Sequence, residues 1–249
     1  MSQFHQASFE LAGWVPASSA AAEAEVLRLE QRLGVRLPQA FRELLASDAW
    51  PGFLQAFSDG DEPIEPARMP LDERQTPETV EHRRRLVFML ENQGVCAWAI
   101  DLGEDPDPEV QVEVDSGDPP TWQACAEHFS TWLYCQVFDR KLLESAMFAA
   151  QAEPLAPAVL RELGASMMEG PRTRAWPGRE NIRLRCELGE VLLWSGDDQC
   201  DWWIAPRSPD TATALLDRLR LSAAFEAWLY PLRDAGREAL QRWASRRAP

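Results

Sequence analysis

Histidine and lysine are nearly missing from this sequence. Its 249 residues include three histidines, His5, His82 and His128, and a single lysine, Lys141, every other basic residue being arginine. So little histidine leaves few groups that change charge near neutral pH, which weighs against general acid–base chemistry. The arginine preference reads as coding bias. Also absent are GxGxxG, GxxxxGK followed by Ser or Thr, HExxH, GxSxG and any paired CxxC. Nucleotide binding, zinc hydrolysis and serine hydrolysis are therefore without their local machinery.

Long apolar runs are missing as well, and no window approaches the ~20 residues that a membrane-spanning helix needs. The opening MSQFHQASFELAGW has neither a basic n-region nor an apolar stretch, so the chain is expected to be cytoplasmic, neither exported nor membrane-spanning. The five cysteines, Cys96, Cys125, Cys135, Cys186 and Cys200, are odd in number, widely spaced and mostly set in apolar runs. That usage fits a reducing compartment rather than a disulfide framework.

What the chain has in excess is negative charge, unevenly placed. Residues 1–150 carry 11 Lys and Arg against 26 Asp and Glu, a net −15, whereas residues 151–249 carry 14 of each. An acidic surface repels phosphate backbones, which excludes direct nucleic-acid binding by the first part and makes a basic protein the natural complement. Solubility alone is the competing explanation of the same charge. With 45% hydrophobic and 26% charged residues, the chain can bury one sizeable core or two small ones.

Periodicity organises the first part. Val26, Leu29 and Leu33 make an amphipathic helix over residues 20–33, with Ser19 as its cap and Gly34 as its end. Pro38 then starts a second helix striped by Phe41, Leu44 and Leu45. Residues 50–78 hold too many Pro, Gly and acidic residues for a long regular element and read as a surface excursion, before Thr76-Pro77 opens a helix toward Arg83-Arg84-Arg85. Leu86–Leu90 and Val95–Ile100 flank Asn92-Gln93-Gly94 as a hairpin, and Val110, Val112 and Val114 alternate with Gln111, Glu113 and Asp115 as a third strand. Asp118-Pro119 is expected to start a helix whose stripe is Trp122, Cys125, Phe129 and Trp132, running on toward Phe148.

The order partly recurs after Pro154. A short helix over residues 157–163, stopped by Gly164, leads to Ile182, Leu184, Cys186 and Leu188 alternating with Arg183, Arg185 and Glu187. Val191–Trp194 and Trp202-Trp203-Ile204 are further strands, and helices follow through Leu215, Leu216 and Leu219 and from Phe225 to Trp243, the last kinked or split by Pro231. The fold class is α+β, an antiparallel sheet flanked by helices, with residues 1–150 as an acidic module. Residues 151–249 are either a C-terminal α+β extension or a degenerate second module.

Several constellations of residues invite a chemical reading. Cys125 and His128 have a CxxH spacing, but no second pair follows, and residues three apart simply share a helix face. The run Asp101-Leu-Gly-Glu104-Asp105-Pro-Asp107-Pro-Glu109 is rich in carboxylates, yet its prolines break the spacing of a calcium loop, leaving a solvated turn between strands. Most of the 11 tryptophans are expected in the core, Trp98, Trp122, Trp132, Trp202 and Trp203 among them. Arg172, Arg174, Arg179, Arg183 and Arg185 form the one basic concentration, a solvated strand edge before a phosphate site.

The stretch LEQRLGVRLPQAFRELL, with Leu29-Glu30, Leu33-Gly34, Leu37-Pro38, Phe41 and Leu44-Leu45, resembles the N-terminal helix motif of the SUKH superfamily. The strands around VFMLENQGVCAWAI, the strand after DPDPEV and the segment HFSTWL agree with it in order and type, over about residues 20–145. Two departures are Ser47-Asp-Ala-Trp-Pro51, where an Asn-Gly-like turn is expected, and the further residues beyond an ordinary module. The resemblance implies binding rather than catalysis: a cytoplasmic immunity protein that neutralises a cognate bacterial toxin, many such toxins being basic nucleases. An intracellular scaffold or regulatory binding module unrelated to toxins is the alternative, and an enzyme assembled from scattered acids comes third. No cofactor and no metal are expected. The expected partner-binding residues are Asp101, Glu104, Asp105, Asp107 and Glu109, with Asp59, Asp61 and Glu62.

Overall fold

The computed structural model describes residues 3–47, 49–58, 60–72, 84–115, 121–174, 179–220 and 229–246. The expected helix at Thr76-Pro77 and the expected helix start at Asp118-Pro119 lie outside these residues. The chain divides into two compact units, Met1–Arg140 and Lys141–Pro249, and the fold is α+β.

In the first unit a short helix, α1 (Gln6–Ala12), precedes α2 (Ala20–Leu33) and α3 (Gln39–Ala46). The Ala22 amide donates to Ser19 Oγ at 3.3 Å, so the expected cap forms. At the other end Gly34 takes φ 67°, a left-handed conformation open to glycine at little cost, and its amide returns to the Glu30 carbonyl at 2.9 Å. Glu30 also clasps the corner from the side: its carboxylate accepts the Leu37 amide at 3.0 Å and lies 3.5 Å from Arg42 Nε. The two stripes then bury Val26, Leu29 and Leu33 together with Phe41, Leu44 and Leu45. Phe41 is the centre of this packing, with ring centroids at 5.1 Å from Phe129, 5.5 Å from Phe88 and 5.8 Å from Trp50.

The described part of residues 50–72 is less irregular than its composition suggests. It contains α4 (Gly52–Phe57), whose Phe53 and Leu54 are buried, then β1 (Glu62–Pro63), a 3₁₀ turn over Pro66–Arg68, and β2 (Leu71–Asp72). The prolines keep these pieces short without keeping them out of the core, since Met69 between them is fully buried. Strands β3 (Arg85–Leu90), β4 (Ala97–Asp101), β5 (Val110–Asp115) and β6 (Thr121–Ala126) follow, giving the antiparallel order β1-β3-β4-β5-β6 with β2 also on β3. A bulge between Val87 and Met89 turns both Phe88 and Met89 into the core.

One expectation fails here. Thr121–Ala126 is a strand paired with β5, Glu113 standing opposite Trp122, and the helix α5 (Phe129–Ser145) begins only afterwards. The 3, 4, 3 spacing of Trp122, Cys125, Phe129 and Trp132 looked like one stripe but serves two faces. Cys125, Phe129 and Trp132 join the core under the helices, whereas Trp122 packs with Val87, Ala97 and Ala99 on the other side of the sheet. A helical period over four positions cannot tell a stripe from a strand that crosses into a helix.

The second unit contains β7 (Phe148–Ala152), α6 (Pro157–Ser166), β8 (Met168–Glu169), β9 (Thr173–Arg174), β10 (Glu180–Cys186), β11 (Gly189–Ser195), β12 (Cys200–Pro206), α7 (Ala212–Arg220), β13 (Tyr230–Pro231) and α8 (Asp234–Ser245). Its sheet runs β13-β7-β12-β11-β10-β8, with β9 also on β10. One face, including Ile182, Leu184, Val191, Leu193, Trp202 and Ile204, forms a core with Leu163, Leu215, Leu216, Leu219 and Trp243 from the helices. Three expectations need correction. Phe148 starts β7 instead of extending α5, and Gly164 lies inside α6 instead of ending it. Pro231 sits in the edge strand β13 opposite Phe148, where its missing amide hydrogen breaks no interior ladder.

Arg183 departs from the reading of a solvated arginine edge, whereas Arg172 and Arg174 are exposed as that reading expects. Arg183 is 2% exposed and donates to the Pro171 carbonyl at 3.0 Å and to Thr173 Oγ1 at 3.0 Å. The side chain bridges the break between β8 and β9. Arg172 is taken up by Glu169 and Glu180, and Arg185 by Glu190 at 3.0 Å.

Gly189 opens β11 where the next strand comes very close: a Cβ there would stand 2.4 Å from the Ala205 carbonyl oxygen and 2.8 Å from Pro206 Cα. Both obstacles are backbone in a paired strand, so relief requires opening the ladder. Gly189→Ala is expected to destabilise the second unit by about 2–4 kcal/mol. Urea unfolding followed by Trp fluorescence measures it, and an unchanged midpoint would mean that the strand end yields freely.

Candidate protein-interaction surface

The acidic run between β4 and β5 is pinned near its middle to two helices. The Ala40 amide, at the start of α3, donates to the Pro106 carbonyl at 2.8 Å. The Asp107 amide donates to Asp105 Oδ1 at 2.9 Å, a local turn that aims the next carboxylate inward. Asp107 then caps α5: its Oδ1 accepts the Ser130 amide at 2.9 Å and its Oδ2 accepts the Ser130 hydroxyl at 2.5 Å. A carboxylate at a helix N-terminus satisfies an otherwise unpaired amide and meets the positive end of the helix dipole. Asp107→Ala is thus expected to lower first-unit stability by about 1–2 kcal/mol, read as a lower melting temperature; no change would remove the cap from the account.

The remaining carboxylates sort by what they touch. Glu104, Asp105 and Glu109 are exposed. Asp101 is 3.3 Å from Arg85 Nε, and that same Nε donates to Gln111 Oε1. Gln111 Nε2 lies 3.2 Å from Glu109 Oε1 and 3.5 Å from Asp101 Oδ2, while the Arg85 guanidinium sits 5.7 Å over the Trp122 ring. The sheet face turned away from the helices therefore carries a polar lattice of Arg85, Gln111, Asp101 and Glu109 beside Trp122 and the apolar Val87, Ala97 and Ala99.

At the far end of β3, Asp61 is 8% exposed and its Oδ1 accepts the Asn92 amide at 3.2 Å, closing the β3–β4 turn. Glu62 is exposed and pairs with Leu90. Asp59 lies outside the described residues. Because Glu62 stands opposite Leu90 and Asp101 opposite Arg85, the two acidic groups are five strand positions apart, about 17 Å. They do not form one patch. Exposed carboxylates stand at both ends of the sheet, and Asp61 and Asp107 are committed to internal contacts.

Two features of this surface have no local sequence signal. The bond between Asp107 and Ser130 spans a separation of 23 residues, and the meeting of Arg85 with Trp122 depends on β6 being a strand. The buried thiols of Cys96 and Cys200 are each pushed up to about 12, first by burial and then by nearby carboxylates, so neither is a nucleophile at neutral pH. Among the described residues no three His, Cys, Asp or Glu side chains gather in a metal-ligand arrangement, and no helix is long and apolar enough to cross a membrane.

Comparison with curated proteins and with solved structures finds no match to this chain. A scan against protein families matches residues 20–135 to the SMI1 / KNR4 family (SUKH-1). That span begins with the capped α2, contains the Gly34–Pro38 corner and the whole first sheet, and ends within α5. Residues 20–135, a little under half of the chain, are thus similar to the SMI1 / KNR4 family (SUKH-1).

Proposed function

We propose that this chain is a cytoplasmic immunity protein that binds a cognate bacterial toxin domain, of the basic kind that a nuclease presents, and neutralises it by protein–protein contact. The observation that carries the reading is the confinement of all net charge to the first unit: Met1–Arg140 holds 25 Asp and Glu against 10 Lys and Arg, while Lys141–Pro249 holds 15 of each. Exposed Glu104, Asp105 and Glu109 stand on a loop pinned to two helices, so they offer charge at low ordering cost. A field of one sign steers a basic partner and rejects acidic ones.

The second unit is, in the same proposal, a divergent second module. Both sheets start from an edge split into two short pieces, β1 and β2 on β3, and β8 and β9 on β10. In both, a three-strand antiparallel meander follows, β3-β4-β5 and β10-β11-β12. The position beyond the meander is filled by a later strand in one case, β6, and by an earlier one in the other, β7.

The test is a calorimetric titration of the whole chain with the toxin domain encoded beside its gene, at low and high salt. Submicromolar binding that weakens as salt screens the carboxylates is expected, on the order of tenfold between ~0.05 and ~0.5 M. Binding that ignores salt would remove charge from the mechanism, and no binding would remove the function.

A further inference from the structure

Four large apolar side chains of the first unit stand exposed among the described residues: Val15, Leu27, Leu90 and Val95. Isolated exposures of this kind are ordinary on any protein surface. Leu90 and Val95 are not isolated. They flank one turn, Glu91-Asn92-Gln93-Gly94, between β3 and β4, and are 40% and 43% exposed. The β11–β12 turn, Gly196-Asp197-Asp198-Gln199, makes the same kind of connection with polar residues alone.

The β3–β4 turn is also held more firmly than a solvated turn requires, since water can satisfy exposed amides. The Asn92 amide donates to Asp61 Oδ1 at 3.2 Å, and the Gln93 and Val95 amides donate to Glu91 Oε2 at 2.7 and 3.4 Å. The Gly94 amide donates to the Glu91 carbonyl at 2.8 Å, and below it the Glu91 amide donates to the carbonyl of buried Cys96 at 3.0 Å. All the amides from Asn92 to Val95 are thus bonded inside the protein, and the two apolar side chains are presented on a fixed frame. Asp61, whose own carbonyl accepts the Ser58 hydroxyl at 3.3 Å, ties that frame to the end of α4. Carboxylates stand around it. Exposed Glu62 is opposite Leu90, and burial together with Glu91, Asp61 and Glu113 pushes the Cys96 thiol up, which places those three carboxylates round the base of the turn. No lysine or arginine occurs in the sequence between Arg85 and Arg140.

We infer that the β3–β4 turn is the apolar anchor of the partner interface: Leu90 and Val95 enter a shallow apolar depression on a basic protein, and Glu62 and Glu91 meet the Lys or Arg side chains around its rim. The inference rests on the proposed function for the partner's existence and names the place and the manner in which it is held. An apolar centre within a polar rim is the usual anatomy of a specific interface. A frame that is already rigid loses little freedom on being bound. The exposed carboxylates of the β4–β5 loop then govern mainly how fast the partner arrives, and Leu90 and Val95 how long it stays. A second copy of this chain is the other candidate for the anchor, but two chains of net charge −15 repel.

The test is the binding kinetics of the full chain with a candidate toxin domain taken from the genes neighbouring this one. Leu90→Glu with Val95→Glu makes the surface more acidic, so attraction by field alone predicts binding as tight as the parent's or tighter. The anchor predicts the reverse: dissociation faster by about thirtyfold or more, with association unchanged or slightly faster. Leu90→Ala with Val95→Ala, which adds no charge, is expected to speed dissociation by about tenfold. Melting temperatures close to the parent's certify folding, and if the glutamate pair fails that check the alanine pair decides alone. Variants that dissociate as slowly as the parent overturn the anchor and leave the proposed function standing; absence of any binding by the parent overturns both. A free parent chain that sediments as a dimer, and as a monomer once both residues are alanine, assigns the turn to a second copy and also overturns the inference.

Discussion

Phe41→Ala is expected to cost the first unit about 3–5 kcal/mol, about a fifth or more of a stability of the usual order of 5–15 kcal/mol and up to all of it at the low end of that range. The ring is fully buried and meets Phe129 and Trp50 edge-on and Phe88 at a tilt, so one truncation removes contacts from α3, α5, β3 and the segment before α4 at once. Urea unfolding of the variant, followed by Trp fluorescence, measures the loss. Phe41→Leu, which keeps most of the volume, should recover more than half of it. A loss below about 1 kcal/mol for Phe41→Ala would mean that the helical corner is not what organises this core.

The second large effect concerns binding. Reversing Glu104, Asp105 and Glu109 together to lysine is expected to weaken the complex by about a hundredfold at low salt and to flatten its salt dependence, mostly through a slower association rate. All three side chains are exposed, and the variant gives up the bonds from the Asp107 amide to Asp105 and from Gln111 to Glu109, so the melting temperature is expected to fall modestly, with the fold kept. Asp107 is left untouched on purpose, because reversing it would remove the cap on α5 and confuse folding with binding. If the triple variant binds as tightly as the parent and keeps its salt slope, the acidic loop is not the contact. The carboxylate at the other end of the sheet, Glu62, would be the next to reverse.

These two variants also mark where sequence reasoning reaches. Phe41 was legible because its stripe with Leu44 and Leu45, the Gly34 stop and the Pro38 start are all local patterns, and local patterns decide short helices and their corner. The hairpin of β3 and β4 and the strand β5 were legible for the same reason, through alternation and turn residues. Trp122 was not, since four positions fit a helical period and a strand-to-helix crossing equally well, and only pairing with Glu113 on β5 decides between them. Arg183 reads as an outward residue in an alternating strand, yet its acceptors lie 12 and 10 residues upstream at Pro171 and Thr173. For the acidic surface, composition located the charge in the right part of the chain but could not divide exposed Glu104 and Asp105 from Asp61 and Asp107, whose carboxylates hold a turn and a helix end. That division depends on partners distant in sequence.

The most direct test of the account is protection in cells. A candidate toxin domain, taken from the genes neighbouring this one, is expressed from an inducible promoter, with or without the full chain, and survival is counted after induction. The account predicts that the parent chain restores growth and that the triple charge reversal, produced at the same level, restores it poorly or not at all. Cells that die equally with and without the well-expressed parent chain would contradict it.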